Sequence, residues 1–492
     1  MKKRFTWLYI TLIITLMVIP SLGMLFVNTG VGGEKRMLAP KPSLFRHNSV
    51  NENFRGEFEE YFTDNFAFRQ LLVTANSALY YYLLNDSPNQ KVIAGKKGFL
   101  FFEETVSDYI GDNLMTKEEI DRLIRTLTLQ QEYLLGKEIE FLFMIVPNKN
   151  TIYSEYMPSR YKKIGNKNLK NLLAELQKSE LEYLDLKTVL LRAKDCGELL
   201  YHKKDSHWNN FGSLYGYQEI MEWVQRKKPL FKYTDYNRYD YIKKQDFRGD
   251  LEQMLFPALD KLDEQIYYPM ERKFNSRRPI LSVMALEVTT QNNNSEAGLL
   301  MFRDSFANTL IPLLSNEFRH VQYLRTKPYS YYSIEPEKID FVILETAERY
   351  LYQIIEKAPL MPAPIRELPE YNNIIETKMD TEIIIEDNQK YLKIYGYAHP
   401  REAQLSSGQI FIKLYNGEKE FILEPFPIFE KSLRNETDRY QQYRNFGFSM
   451  TLDFKEIGSG EYIGSGEYHL DLLIKARNKI FTTKTNNIIK VH

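Results

Sequence analysis

From Trp7 to Val27 the chain runs for 21 residues without a charged side chain, directly behind Lys2, Lys3 and Arg4. At ~1.5 Å per residue a helix of that length spans a hydrocarbon core of ~30 Å. A buried core helix seldom follows three cations. A cleaved signal peptide has a shorter apolar region, ~7–15 residues, and ends in a small-residue cleavage site. Here Pro20-Ser21-Leu22-Gly23 is the nearest approach to such a site. The reading that fits best is an uncleaved signal anchor over residues 1–27, a single pass through the cell membrane. Its cations stay on the cytoplasmic side, and everything from about Asn28 onward is expected outside.

At 492 residues, and ~150 per domain, the chain should hold two or three units. Lys and Arg number 65, as do Asp and Glu, so the formal charge is zero. A nucleic-acid partner is therefore not expected, because binding phosphates normally takes a cationic excess. With 43% hydrophobic and 14% aromatic residues, the chain has ample material for packed cores. Its one cysteine, Cys196, permits neither an intramolecular disulfide nor a cysteine-based zinc site.

Residues 28–50, rich in Gly, Pro and polar side chains, read as a linker. Asn53 to Leu84 has helical periodicity with an aromatic face of Phe54, Phe58, Tyr61 and Phe62. Lys91 to Phe102 reads as a β-hairpin turning over Gly95 to Gly98. Thr116 and Glu119 form a capping box for a helix that should end at Leu135, with Gly136 just behind it. Phe141 to Val146 is an unbroken apolar run, the pattern of a strand buried on both faces, and Gly298 to Phe302 and Asp340 to Leu344 read as further buried strands. Leu181 to Leu186 is a further strand, and helices are expected over Lys167 to Lys178, Asn209 to Gln225 and Ser305 to Asn316. This alternation predicts an α/β domain over residues 51–358, a parallel sheet layered between helices. After Pro359, Pro362, Pro364 and Pro369, short strand-like segments predict a β-sandwich over 370–492. The direct repeat of Ile457 to Tyr462 in Ile463 to Tyr468 reads as a duplicated turn.

In parallel sheets, ligands gather beyond the carboxyl ends of the strands. Three turns fall there: Pro147-Asn148-Lys149-Asn150, Arg303-Asp304-Ser305-Phe306 and Glu345 to Tyr350. Ser305 stands where a strand gives way to a helix, beside backbone N–H groups that can stabilise an oxyanion. A serine nucleophile needs a base, and the chain has seven histidines. His47 lies in the linker, His399, His469 and His492 in the β-rich tail, and His320 behind the Ser305 helix. Of the remaining two, His202 and His207, the second has a carboxylate two residues upstream. Asp205 could fix the tautomer of that imidazole. Taken singly, Asp-x-His can be a chance pairing in a loop, and Ser305 an ordinary helix cap.

Together, Asp205-Ser206-His207-Trp208, Asp304-Ser305-Phe306 and Asp340 to Leu351 (DFVILETAERYL) resemble the bacterial DHHW protein family. That family is related to the SGNH-hydrolase-like domains of alginate O-acetyltransferases. The likeness runs over about residues 50–352 and takes in Gly95 to Leu100 and Val146 to Tyr153. It implies an SGNH-hydrolase-like fold with Ser305 as nucleophile, His207 as general base and Asp205 as the orienting carboxylate. Two positions depart from the pattern. Arg303 stands where the wider superfamily often has Gly, and Ser206 where the family name has its first His. The Ser305 amide and the Asn148 side chain are the expected oxyanion donors, with Arg303 and Arg349 as further oxyanion or substrate contacts. No cofactor is implied. Asp205-x-His207 could begin a metal site, but nothing near it in sequence completes the coordination.

Other residues take plainer readings: Glu348 and Arg349 as a structural ion pair, Lys149 as an exposed lysine, and Cys196 as a bystander. Tyr233 to Tyr241 could stack on sugars or pack as a loop. The function these expectations define is extracytoplasmic O-acetylation of a cell-surface or secreted polysaccharide through an acyl-serine. An integral membrane acyltransferase would hand over the acetyl group, and the β-sandwich would hold the glycan. An esterase passing acetyl to water uses the same triad. A non-catalytic glycan-binding or assembly protein is the third reading.

Overall fold

The computed structural model describes residues 2–24, 26, 38–46, 49–164, 167–236, 240–276, 285–332, 334–368, 374–388, 391–400, 408–428, 446–453, 463–476 and 479–491. Outside the described residues lie most of the expected linker, the first copy of the IGSGEY repeat, residues 237–239 of the tyrosine-rich stretch, His47, His492 and the Cys196 side chain.

A helix spans Lys2–Gly23, and its Thr6–Gly23 portion is long and apolar enough to cross a membrane. Helices Phe54–Asn65 and Arg69–Leu84 follow, and Phe54, Phe58 and Phe62 stack along the first at centroid separations of 5.9 and 6.4 Å.

The central sheet has seven strands, in the order Tyr183–Asp185, Glu140–Val146, Phe341–Ala347, Gly298–Phe302, His320–Leu324, Glu287–Gln291 and Asn275–Ser276. The first five are parallel. Glu287–Gln291 pairs antiparallel with His320–Leu324, and Asn275–Ser276 antiparallel with Glu287–Gln291, pairings that the expectation of a parallel sheet did not include. Glu287–Gln291 buries only alternate residues, so it lacks the unbroken apolar run that marks the inner strands.

Alternation of side chains along each inner strand divides its residues between two cores. Leu142, Met144 and Val146 join Leu299 and Met301 in the core formed with helices Leu186–Ala193, Asn210–Lys227 and Leu310–Glu317. Phe141, Phe143 and Ile145 join Leu300 and Phe302 in the core formed with Lys117–Leu135, Lys167–Leu176 and Tyr352–Glu356. The Thr116–Glu119 capping box opens the helix that ends at Leu135. Gly136 keeps a right-handed φ of −61°, and the left-handed reversal falls instead on Glu138, at φ 59°.

Beyond residue 368 the chain forms a five-stranded and a four-stranded sheet that share a core including Ile394, Ile412, Phe448 and Leu472. One strand of the smaller sheet, Phe426–Ile428, also reaches back: Phe426 and Ile428 are buried in one cluster with Leu123 and Leu127 of the 117–135 helix. Beside this joint the Glu424 side chain, 2% exposed, accepts from Arg125 Nε at 2.6 Å and Arg366 Nε at 2.7 Å. Both arginines also pair with Glu132.

Burial alone would raise the Glu424 carboxyl, but the bonds and charges of Arg125 and Arg366 outweigh it and hold the group below its usual value. A depressed carboxyl contributes stability above its unfolded pKa, about 4.3. That stability is lost as the pH falls through the lower folded value. Glu424→Gln is expected to cost about 3 kcal/mol at pH 7, the low end for a broken buried pair. The low end applies because Arg125 and Arg366, 32% and 29% exposed, still reach water. Urea unfolding of both proteins at pH 7 and pH 3 measures this. The gap should shrink in acid, and a constant gap would assign the contact to shape rather than charge.

Candidate active site

Ser305 follows the 298–302 strand, and its hydroxyl does not cap the helix behind it. That helix starts as a 3-10 turn over Phe306–Thr309 before becoming α-helical over Leu310–Glu317, rather than running as one helix from Ser305. Asp304 pins the turn: Oδ1 accepts the Phe306 N–H and Oδ2 the Ala347 N–H, both at 2.8 Å. With the cap supplied by its neighbour, Ser305 Oγ is left to lie 2.7 Å from His207 Nε2. On the other side of the ring, His207 Nδ1 is 2.7 Å from Asp205 Oδ1.

His207 stands just ahead of the Asn210–Lys227 helix, whose N-cap Asn209 accepts the Gly212 N–H at 2.9 Å. Its neighbour Trp208 is buried and donates to the carbonyl of Phe306, the neighbour of Ser305, at 2.9 Å. Histidine loop and serine turn are thus tied together one residue away from the reacting atoms. The His207 side chain stays 22% exposed, whereas that of Asp205 is 6% exposed. Asp205 Oδ1 also accepts the His207 N–H at 2.9 Å, and Oδ2 accepts the Asp250 N–H at 2.7 Å. Burial would raise the Asp205 carboxyl, but the His207 charge and these hydrogen bonds hold it well below the usual range.

A second carboxylate sits here that the sequence reading missed. Asp250 Oδ2 is 3.7 Å from His207 Nδ1, and Asp250 accepts from Ser206 twice, from N–H at 2.8 Å and from Oγ at 2.7 Å. The preceding Gly249 permits the approach, because a Cβ there would come within 2.4 Å of the Lys204 carbonyl oxygen. Asp250 opens the short helix Asp250–Leu255, 45 residues from Asp205, with no motif around it to signal a role. Asp205, His207 and Asp250 place candidate ligand atoms within 4.8 Å of one another, a grouping the sequence reading did not foresee. Each carboxylate oxygen already accepts an N–H or O–H, so hydrogen bonding accounts for the cluster.

The secondary site residues mostly fall elsewhere. Asn148 is buried, with its side-chain amide donating to Asp108 Oδ2 at 3.2 Å and its N–H to Glu348 Oε2 at 2.8 Å. Asp108 therefore engages one of the two N–H groups of the Asn148 side-chain amide. Arg303, 1% exposed, braces the serine turn from within. It donates to the carbonyls of Asp304 and Ala285 at 3.1 and 3.0 Å and to Asn308 Oδ1 at 2.8 Å, so it does not face a substrate. Glu348 bonds Asn148 and Thr151 rather than pairing with Arg349, and burial raises its carboxyl to about 7. Arg349 does stand beside the triad, its guanidinium 5.2 Å from the Phe306 ring centre and 5.6 Å from that of Phe102. Among the described residues nothing accepts from the Ser305 amide, the main-chain donor expected to meet an oxyanion.

Lys149, expected in solvent, is buried under Phe99 and Phe101 of the 92–102 hairpin. His202 is buried and stacked on Phe247 at 3.8 Å, and burial lowers it to about 4. Tyr233 and Tyr236 pack on Tyr217 at centroid distances of 6.4 and 5.5 Å, which fits a packed loop.

A serine, histidine and aspartate in line at the carboxyl edge of an α/β sheet is the arrangement used by serine hydrolases and acyltransferases. Residues 92–278 match the family described as "SGNH hydrolase-like domain, acetyltransferase AlgX", a span that includes Asp205, His207 and Asp250 and stops short of Ser305. The chain is 22% identical over 223 residues to the probable alginate O-acetylase AlgJ of Pseudomonas fluorescens, 45% of this chain and 55% of that protein. It therefore spans about half the length of that relative. Similar solved structures include Bacillus cereus PatB1, at TM-score 0.43 and 20% identity over 53% of this chain and 96% of that one. A DHHW family protein from Eubacterium siraeum gives TM-score 0.37 and 14% identity over 46% and 85%.

Proposed function

We propose that this chain is an extracytoplasmic O-acetyltransferase that modifies a polysaccharide through an acetyl-serine at Ser305. The observation that carries the reading is the His207 ring, 2.7 Å from Ser305 Oγ on one side and 2.7 Å from Asp205 on the other. Ser305 Oγ attacks the acetyl carbonyl while His207 Nε2 takes its proton, and buried Asp205 stabilises the imidazolium. The oxygen that becomes negative meets the Ser305 N–H, and the donor's leaving group departs with the proton from His207. A sugar hydroxyl then gives its proton to His207 and attacks the acyl-serine, and His207 passes that proton to the departing Ser305 Oγ, which restores both residues. The match to the acetyltransferase family and the likeness to a probable alginate O-acetylase support acetyl chemistry on a polysaccharide.

The Thr6–Gly23 helix would hold the site beside the bilayer, where an integral membrane acyltransferase delivers the acetyl group. The C-terminal sheets would hold the glycan. The test incubates purified protein with an acetyl ester, with and without candidate acceptor polysaccharides, and follows acetate and glycan acetylation separately. Acetylation that rises at the expense of free acetate supports transfer. Rapid acetate release unaffected by any acceptor would make the protein an esterase instead.

A further inference from the structure

Lys149 is a buried cation held by main-chain oxygens. Its Nζ donates to three carbonyls of one loop, those of His202 and Lys203 at 3.1 Å and of Asp205 at 2.5 Å. Phe99 and Phe101 close the other side, their ring centres 5.9 and 5.2 Å from Nζ. The Leu100 N–H of the same hairpin also holds the Lys203 carbonyl, at 2.8 Å. Taking an ammonium out of water costs several kcal/mol, so its place here is not explained by stability alone. An ammonium carries three N–H donors, one for each carbonyl. The gripped loop carries Asp205 and, two residues on, His207.

We propose that Lys149 is a positioning residue of this site: its ammonium clamps the 202–205 loop so that Asp205 and His207 stay in line with Ser305. The proposal rests on the triad reading above and adds a proton requirement to it. A neutral amine has two N–H donors and must release one carbonyl. Burial brings Lys149 down to about 7, against the opposing pull of Asp205, Asp250 and Asp263. The other titratable groups facing it are the His202 imidazole and Lys203, whose ammonium lies over the same Phe99 ring at 5.9 Å. Because this lysine is depressed, the complete clamp exists at lower pH and is lost as the pH rises through that value.

The test follows phenylmethanesulfonyl fluoride labelling of Ser305 in the full-length protein by peptide mass spectrometry across pH. Wild-type labelling is expected to decline on the alkaline side. Lys149→Arg, which keeps its charge, should move that decline beyond about pH 9. Lys149→Met should label about 100-fold more slowly, the scale of a ~1 Å misplacement. Labelling of Lys149→Met at the wild-type rate overturns the proposal, as does an alkaline decline unchanged in Lys149→Arg. Should Lys149→Met fail to fold by thermal melting, the comparison of wild type with Lys149→Arg decides alone. Failure of the wild type to label at Ser305 at any pH removes the triad reading itself.

Discussion

Ser305→Ala is expected to slow acetyl transfer by about 10⁴-fold or more while leaving the melting temperature close to that of the wild type. The two halves of this result have separate structural causes. Ser305 Oγ is the hydroxyl within 2.7 Å of His207 Nε2, so its removal takes away the proposed nucleophile. The turn itself is held by Asp304, Arg303 and the Trp208 bond to Phe306, none of which uses that hydroxyl. Acetyl-ester turnover and a thermal melt of the same preparation measure both. Activity within tenfold of the wild type would place the nucleophile elsewhere.

Asp205→Asn should cost about 10⁴-fold in turnover. An amide presented to Nδ1 can donate where the carboxylate accepted, which favours the tautomer with the proton on Nε2. That tautomer cannot take the proton of Ser305. Asp250→Asn is expected to fall only about 10–100-fold, because Asp250 acts on His207 through placement. Its Oδ2 is 3.7 Å from Nδ1 against 2.7 Å for Asp205, and it is already bonded to Ser206. Steady-state turnover of the two variants checks the order. A larger loss in Asp250→Asn would make that residue the orienting carboxylate.

Much of the architecture was legible because it rests on local pattern. Gly298–Phe302 matches its apolar run residue for residue, and the Thr116–Glu119 box marks the start of its helix. The pairing of His207 with Asp205 could be read for the same reason, since only Ser206 separates them. What escaped depends on distant chain. Asp250 reaches the triad because Gly249 lets two loops touch, and nothing in its own neighbourhood signals that. Lys149 looked like a surface lysine because its partners are main-chain carbonyls, which no side-chain pattern reveals. Asn148 and Arg303 stand at the right edge, but their side chains turn to Asp108 and to the Ala285 carbonyl. Position at a sheet edge was readable, and direction was not.

The joint at Phe426–Ile428 bears on how such a protein can be taken apart. A module that recombines freely between proteins brings a finished core of its own and leaves one behind. Here Phe426 and Ile428 fill space against Leu123 and Leu127, while Glu424 neutralises arginines that come from both sides of the boundary. Cutting the chain near residue 360 would strip two apolar side chains from the α/β part and leave Arg125 without Glu424. A graft of either part onto another protein must therefore carry this seam with it.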